Sequence, residues 1–114
     1  MAQALNDNVG HIDLNIVRGV YYSILATDIT DYDCTLYTWV GTVIHTGSRE
    51  TVFTFTVTAA SSISLIPVVT TAQTLLLESG GDYSYFIVGT LISDTTKNKC
   101  PLMGKLKAKE LGGA

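Results

Sequence analysis

Thr51-Val52-Phe53-Thr54-Phe55-Thr56-Val57-Thr58 is the stretch whose reading decides the fold. Phe53, Phe55 and Val57 alternate with Thr54, Thr56 and Thr58. A period of two puts successive side chains on opposite faces of an extended chain, so this is a strand with one face buried and one in water. β-Branched and aromatic residues suit such a pleated, half-buried surface.

Working outward, the same texture recurs. Residues 11–17 place Ile12, Leu14 and Ile16 on one face. Residues 20–27, VYYSILAT, form a second run. In residues 34–40, CTLYTWV, Cys34, Leu36, Thr38 and Val40 oppose Thr35, Tyr37 and Trp39. Further runs cover 62–66, 82–92 and 98–109. Gly19, Thr46-Gly47-Ser48, Gly80-Gly81-Asp82 and Ser93-Asp94-Thr95 are turn signals between them. Seven short, punctuated strands read as an all-β sandwich or barrel, and sixteen threonines give the chain the matching composition.

One segment departs from this pattern. Thr70-Thr71-Ala72-Gln73 fits a capping box, with Thr70 as N-cap and Gln73 three residues on. This predicts one short helix over 71–78, its Ala72, Leu75 and Leu76 on a common face, with Leu75 and Leu76 closing an open end of the sandwich and Gly80 as its stop. The competing reading continues a strand through Leu75–Leu77. Pro101 lies inside the last run and has no N–H for a ladder, which predicts an edge position or a bulge, and with Gly104 a bend or split near 101–104.

The chain has 114 residues, is 46% hydrophobic and only 15% charged. One core of that size needs no metal or disulfide to hold it, and the low charge excludes a disordered chain. Its apolar runs fall far short of the ~20 residues that span a bilayer, so no membrane partner is expected. MAQALNDNVGHID has neither basic flank nor apolar stretch and does not read as a secretory signal. Residues 1–9 read as an N-terminal arm, 10–110 as the single domain and 111–114 as a tail.

Charge is unevenly placed. Residues 1–96 hold two basic side chains against nine acids, and residues 97–114 hold five lysines against Glu110. An acidic body disfavours nucleic acid, which needs a basic stripe. Lys105, Lys107 and Lys109 alternate and on a strand share one face. That face is either a solvated, edge-protecting one or a contact for an acidic patch on a neighbouring subunit. With Ala2, Ala4 and Leu5 of the arm, these lysines are the candidate interface.

The chain offers little chemistry. His11 and His45 have no ligand-spaced partners, and neither a phosphate-cradling glycine loop nor a nucleophile elbow is present. Asp28, Asp31 and Asp33 lack the glycine and glutamate of a calcium loop and read as turn caps. No catalytic residue, metal or cofactor is expected. With no secretory signal, Cys34 and Cys100 read as reduced thiols rather than a disulfide between sheets. Trp39 and the tyrosines read as core or interface anchors, with a sugar-stacking platform as the alternative.

Asp28-Ile29-Thr30 with Tyr32 before a strand, Gly81, Tyr83 and Tyr85 before the closing hairpin, and Met103-Gly104-Lys105-Leu106 in the last strand together carry a resemblance. Across residues 12–109 the chain resembles the small immunoglobulin-like domains of tailed-phage virion proteins, such as the N-terminal domain of the baseplate upper protein family. The resemblance departs at Asp31, where those proteins have glycine. It implies an immunoglobulin-like antiparallel β-sandwich of about seven strands with one short helix. It also implies a non-enzymatic structural protein of the virion, assembled in the host cytoplasm as an assembly or attachment module of the tail, baseplate or fibre region. Its partners would be other virion structural proteins and further copies of itself on a larger scaffold. A capsid decoration protein and a small carbohydrate- or receptor-binding module are the two alternatives.

Overall fold

A computed structural model describes residues 10–27, 29 and 32–110. In chain order the elements are β1 (Gly10–His11), β2 (Leu14–Val17), β3 (Tyr22–Ser23), a 3-10 turn (Cys34–Leu36), β4 (Tyr37–His45), β5 (Thr51–Ser61), β6 (Ser64–Val69), α1 (Thr71–Thr74), β7 (Tyr83–Leu91) and β8 (Asn98–Lys109). β1 and β2 are two pieces of one strand, because both pair with β8 in a common register on either side of Ile12 and Asp13. Counted so, the described residues form the seven strands that the sequence predicts.

Hydrogen bonding runs in the order β1/β2–β8–β7–β4–β5–β6–β3. Neighbours are antiparallel except at β8, where the first strand lies parallel. β5 turns this single path into two layers. Its residues 51–56 pair with β4 and its residues 56–61 with β6. Each half has a strand partner along one edge only, so β5 passes from one layer to the other at Thr56. The layers close on one core in which Leu14, Ile16, Val43, Phe55, Leu65 and Ile87 are all buried. Phe53, Phe55 and Val57 point inward and Thr54, Thr56 and Thr58 outward, as the alternation requires.

The fold is an all-β, immunoglobulin-like sandwich. Two features of that architecture are present. Trp39, on the third strand, is buried and lies flat over Gly89, where a Cβ would stand 2.5 Å from its ring. Tyr83, at the start of the next-to-last strand, turns its hydroxyl back to the chain and accepts the Glu78 N–H at 2.7 Å.

Four local expectations change. The third strand begins at Tyr37 rather than residue 34, because Asp33 accepts the Thr35 N–H and starts a 3-10 turn. Its inward side is that of Trp39 and Val43, whereas Leu36 and Val40 are exposed. The second strand shrinks to Tyr22–Ser23 plus an isolated bridge from Ala26 to Leu65. Between them the chain runs opposite Pro67, which has no N–H to offer a ladder, and the Ser23 hydroxyl donates to the Pro67 carbonyl instead. The capping box is present, with Thr70 Oγ1 accepting the Gln73 N–H and Gln73 Oε1 accepting the Thr70 N–H. The helix nevertheless stops at Thr74 rather than residue 78. Arg18 takes the carbonyls of Leu75 and Leu77, which satisfies them without another helical turn. The chain then buries Leu77, while Leu75 and Leu76 stay exposed, so Leu77 and Thr74 fill the place expected of those two leucines.

Pro101 sits in a bulge. Ile87 pairs with Leu102 and Gly89 with Lys99, so Val88 opposes two residues, Cys100 and Pro101. β8 is otherwise unbroken from Asn98 to Lys109 and is flanked on both sides. The bulge absorbs the missing donor, and the strand does not split.

Candidate interface

The lysine face is built by β8 and by what holds the first strand against it. Leu102, Leu106 and Ala108 point into the core, leaving Lys105, Lys107 and Lys109 outward and exposed on one face, as their spacing predicts. Gly104 makes the docking possible, since a Cβ there would collide with the Ile12 backbone. In that space the Ile12 N–H donates to Met103 O at 3.1 Å, Tyr85 Oη donates to Ile12 O at 2.6 Å, and Asp13 Oδ1 accepts the Lys105 N–H at 3.2 Å. Burial pushes the Tyr85 phenol up to about 12. Further along, the Arg18 N–H donates to Lys109 O, and the Arg18 guanidinium pairs with Glu110. Ala2, Ala4 and Leu5 lie outside the described residues.

Lys105, Lys107 and Lys109 border an open groove of ≈ 770 Å³ whose other wall is the corner Ser79–Asp82. A second cleft on the far side of that corner is lined by Glu50, Glu78 and Asp82 beside His45. Basic and acidic strips thus share one loop. Among the described residues none of the three lysines has an ion pair within the chain.

The outer face of β5, β4, β7 and β8 is partly open to solvent, its positions exposed or half-buried. β4 presents Thr38, Val40, Thr42 and Ile44 outward, and β7 presents Ser84, Phe86, Val88 and Thr90. The first half of β5 adds Thr54 and Thr56, and β8 adds Met103 opposite Phe86. All of these positions are uncharged. Arg49 and Lys105 stand at the end of this face near the β4–β5 hairpin, where Arg49 lines a small hollow with Ile44, Phe86 and Met103. The opposite end carries Asp33 and Asp94. Hydrogen bonds from the Thr35 side chain and backbone hold Asp33 below the ordinary carboxylate pKa, and those of Thr96 do the same for Asp94.

The remaining candidates are dispersed. Cys34 is a free buried thiol in the 3-10 turn and Cys100 a free, half-buried thiol in the β8 bulge. Burial raises both pKa values, with Asp33 adding to the rise at Cys34, so neither thiol has the thiolate character that nucleophilic chemistry needs. Tyr32, Tyr37 and Trp39 cluster with centroids 5.3 to 6.2 Å apart, Tyr32 stacked on Trp39 and Tyr37 tilted against both, and Lys99 lies over Tyr32 at 5.5 Å. Trp39 is committed to the core, and its Nε1–H donates to Cys34 O, so it is no platform for a sugar. Among the described residues no group of three His, Cys, Asp or Glu side chains is placed to hold a metal ion. Sequence reasoning finds the lysine face through alternation. It misses the Gly104–Ile12 contact and the Arg18 clamp, whose partners lie far away in the chain; the signal available was Gly104 within an otherwise bulky strand.

No protein-family model matches this chain, and no curated protein matches it in sequence. In structure it is similar to an immunoglobulin domain in the crystal structure of the ZIG-8–RIG-5 IG1-IG1 heterodimer, at 9% identity over 93% of this chain and 89% of that one, with a TM-score of 0.47.

Proposed function

We propose that this chain is a non-enzymatic structural protein that works as an assembly or attachment module of a tailed-phage virion, present in multiple copies docked on a larger scaffold. The observation that carries this reading is the uncharged outer face spanning four strands, with charge confined to its ends and to the lysine strip. A surface kept in water for its own sake is normally rich in mixed charge. Here the charge lies where it can orient a neighbour, and the face between presents threonine, valine and phenylalanine. The sequence resemblance adds the particular setting. Gly81, Tyr83 and Tyr85 form the corner that positions the last two strands: a Cβ at Gly81 would stand 2.6 Å from the Tyr83 ring, and both tyrosine hydroxyls bond to backbone. The resembling motifs are therefore those of a scaffold.

The test is to locate the chain in purified particles of the phage that encodes it. The expected result is a fixed stoichiometry of several copies per particle by quantitative mass spectrometry and a position in the tail or baseplate by electron microscopy. Absence from purified particles would overturn the reading, and a position on the capsid shell would replace the tail assignment by that of a decoration protein.

A further inference from the structure

We infer that the outer face of β5, β4, β7 and β8 is the docking surface for a second copy of this chain, paired about a two-fold axis that lies in the face and runs across the strands. This rests on the assembly reading above and names one of the partners. Three observations carry it.

The first is area. β4 is nine residues long. Three strands of about that length and the first half of β5, residues 51–56, ~4.8 Å apart with a rise of ~3.4 Å per residue, give a patch of about 540 Å² before side-chain relief is counted. Two such patches exceed the ~1,000 Å² that separates a specific interface from a casual contact. The opposite layer offers less, because β3 has only two residues.

The second is self-compatibility. A two-fold contact brings the same patch against itself, so any charge in its middle faces a like charge. The central positions Val40, Thr42, Val88 and Thr54 carry none. Val40 is 50% exposed, a large aliphatic side chain standing in water at the centre of an ordered sheet. Thr38, Thr54 and Thr56 beside it have hydroxyls that can meet their counterparts.

The third is the charge at the ends, which selects the axis. Arg49 and Lys105 occupy one end. At the other, Lys97 approaches Asp94 at 4.0 Å and Lys99 is engaged over Tyr32, leaving Asp33 and a balanced pair. An axis along the strands would set Arg49 and Lys105 of one copy against those of its partner. An axis across the strands sets them over the end that holds Asp33 and Asp94, which removes the repulsion.

The experiment is sedimentation equilibrium of the full chain from low micromolar to near-millimolar concentration. The expected result is a mass that rises from one copy to two. A Val40→Lys, Thr54→Lys double variant should weaken this association by at least about tenfold, since like charges then meet across the axis. Thr54→Lys alone, at an exposed threonine, should weaken it in the same direction and serves if the double variant does not fold. Tyr21→Lys, exposed beside the β3 edge, should leave it unchanged. A chain that stays single throughout would overturn the inference. So would a dimer indifferent to the lysines at positions 40 and 54, or one equally sensitive to lysine at position 21. A particle in which the chain is present but a different protein covers this face would also overturn it while leaving the assembly reading intact, whereas absence from the particle defeats that reading itself.

Discussion

The two faces of β4 and β7 are made by the same two strands and obey opposite rules. The inner face is an interlock of large rings against glycines. Trp39 lies on Gly89, Phe55 lies over Gly41, and Val43, Tyr85 and Ile87 fill what remains. The outer face alternates threonine with single aliphatic or aromatic side chains and locks nothing in place. Close-packed interiors register the change of even one methylene, whereas exposed positions away from special features move stability little. The difference teaches where this sequence keeps its specification. The inner face determines the sandwich, and the outer face specifies little of it.

The largest effect expected is at Trp39. Trp39→Ala removes the ring that bridges the 3-10 turn and β7, and should cost about 3–5 kcal/mol in a denaturation experiment. Gly89→Ala should cost about 1–3 kcal/mol, because its Cβ would stand 2.5 Å from that ring. The two belong to one contact, so their costs should not add. In the Trp39→Ala background most of the Gly89→Ala penalty should vanish. If each penalty persists in full when the other residue is changed, the interlock is not what makes the inner face demanding.

Next in size is Gly104→Ala, expected to cost about 1–3 kcal/mol by overpacking. The strain falls on the first strand, because the atoms in the way are the backbone of Ile12. Amide exchange should therefore quicken at Leu14–Val17 before it does in β4 and β7. Uniform loss of protection across all strands would mean that the first strand belongs to the cooperative core and is not a separately docked piece.

This is also the region where the sequence was least legible. Period two revealed β5, because Phe53, Phe55 and Val57 are all buried on the face that alternation assigns, and the runs at 82–92 and 98–109 become β7 and β8. Pro101 revealed its bulge through a property of its own residue. The Thr70–Gln73 box likewise revealed the start of α1. Its end depends on Arg18, more than fifty residues earlier, which takes the carbonyls a longer helix would have used. The parallel docking of the first strand on β8 is equally nonlocal, as are the acidic and basic clefts either side of the Ser79–Asp82 corner. Lys105, Lys107 and Lys109 were readable as one face because β8 is regular there. What that face adjoins was set by the order of strands, which periodicity does not encode.

Tyr85 offers a smaller and pH-resolved probe of the inner face. Its hydroxyl donates to Ile12 O, and removing it should cost about 0.5–1.5 kcal/mol at neutral pH. The unfolded chain releases this phenol proton near the ordinary value of 10.0, the folded chain only at about 12. Stability from the protonated phenol is thus full below pH 10.0 and is lost as pH rises through the interval to about 12. Tyr85→Phe should flatten part of that alkaline fall in urea titrations. Tyr22, also raised by burial, should keep the rest. A variant whose alkaline limb matches the parent would mean that the Tyr85 hydroxyl is solvated.

The smallest effect expected is on the outer face, and its smallness is the point. Val40→Thr exchanges an aliphatic side chain for a hydroxyl of similar shape at a position half in water. Both residues are β-branched and suit a strand, and the neighbours across the ladders, Thr56 and Val88, already include one of each kind. No hydrogen bond or core contact is lost. The melting free energy of the isolated domain, measured at a concentration low enough to keep it single, should change by less than about 0.5 kcal/mol. At high concentration the same variant should melt earlier than the parent, because a native state stabilised by association gains from it by mass action. A cost at low concentration as large as that of Gly89→Ala would make Val40 part of the fold's own packing and remove the contrast between the two faces. Equal shifts at both concentrations would leave the contrast standing but deprive the outer face of its partner.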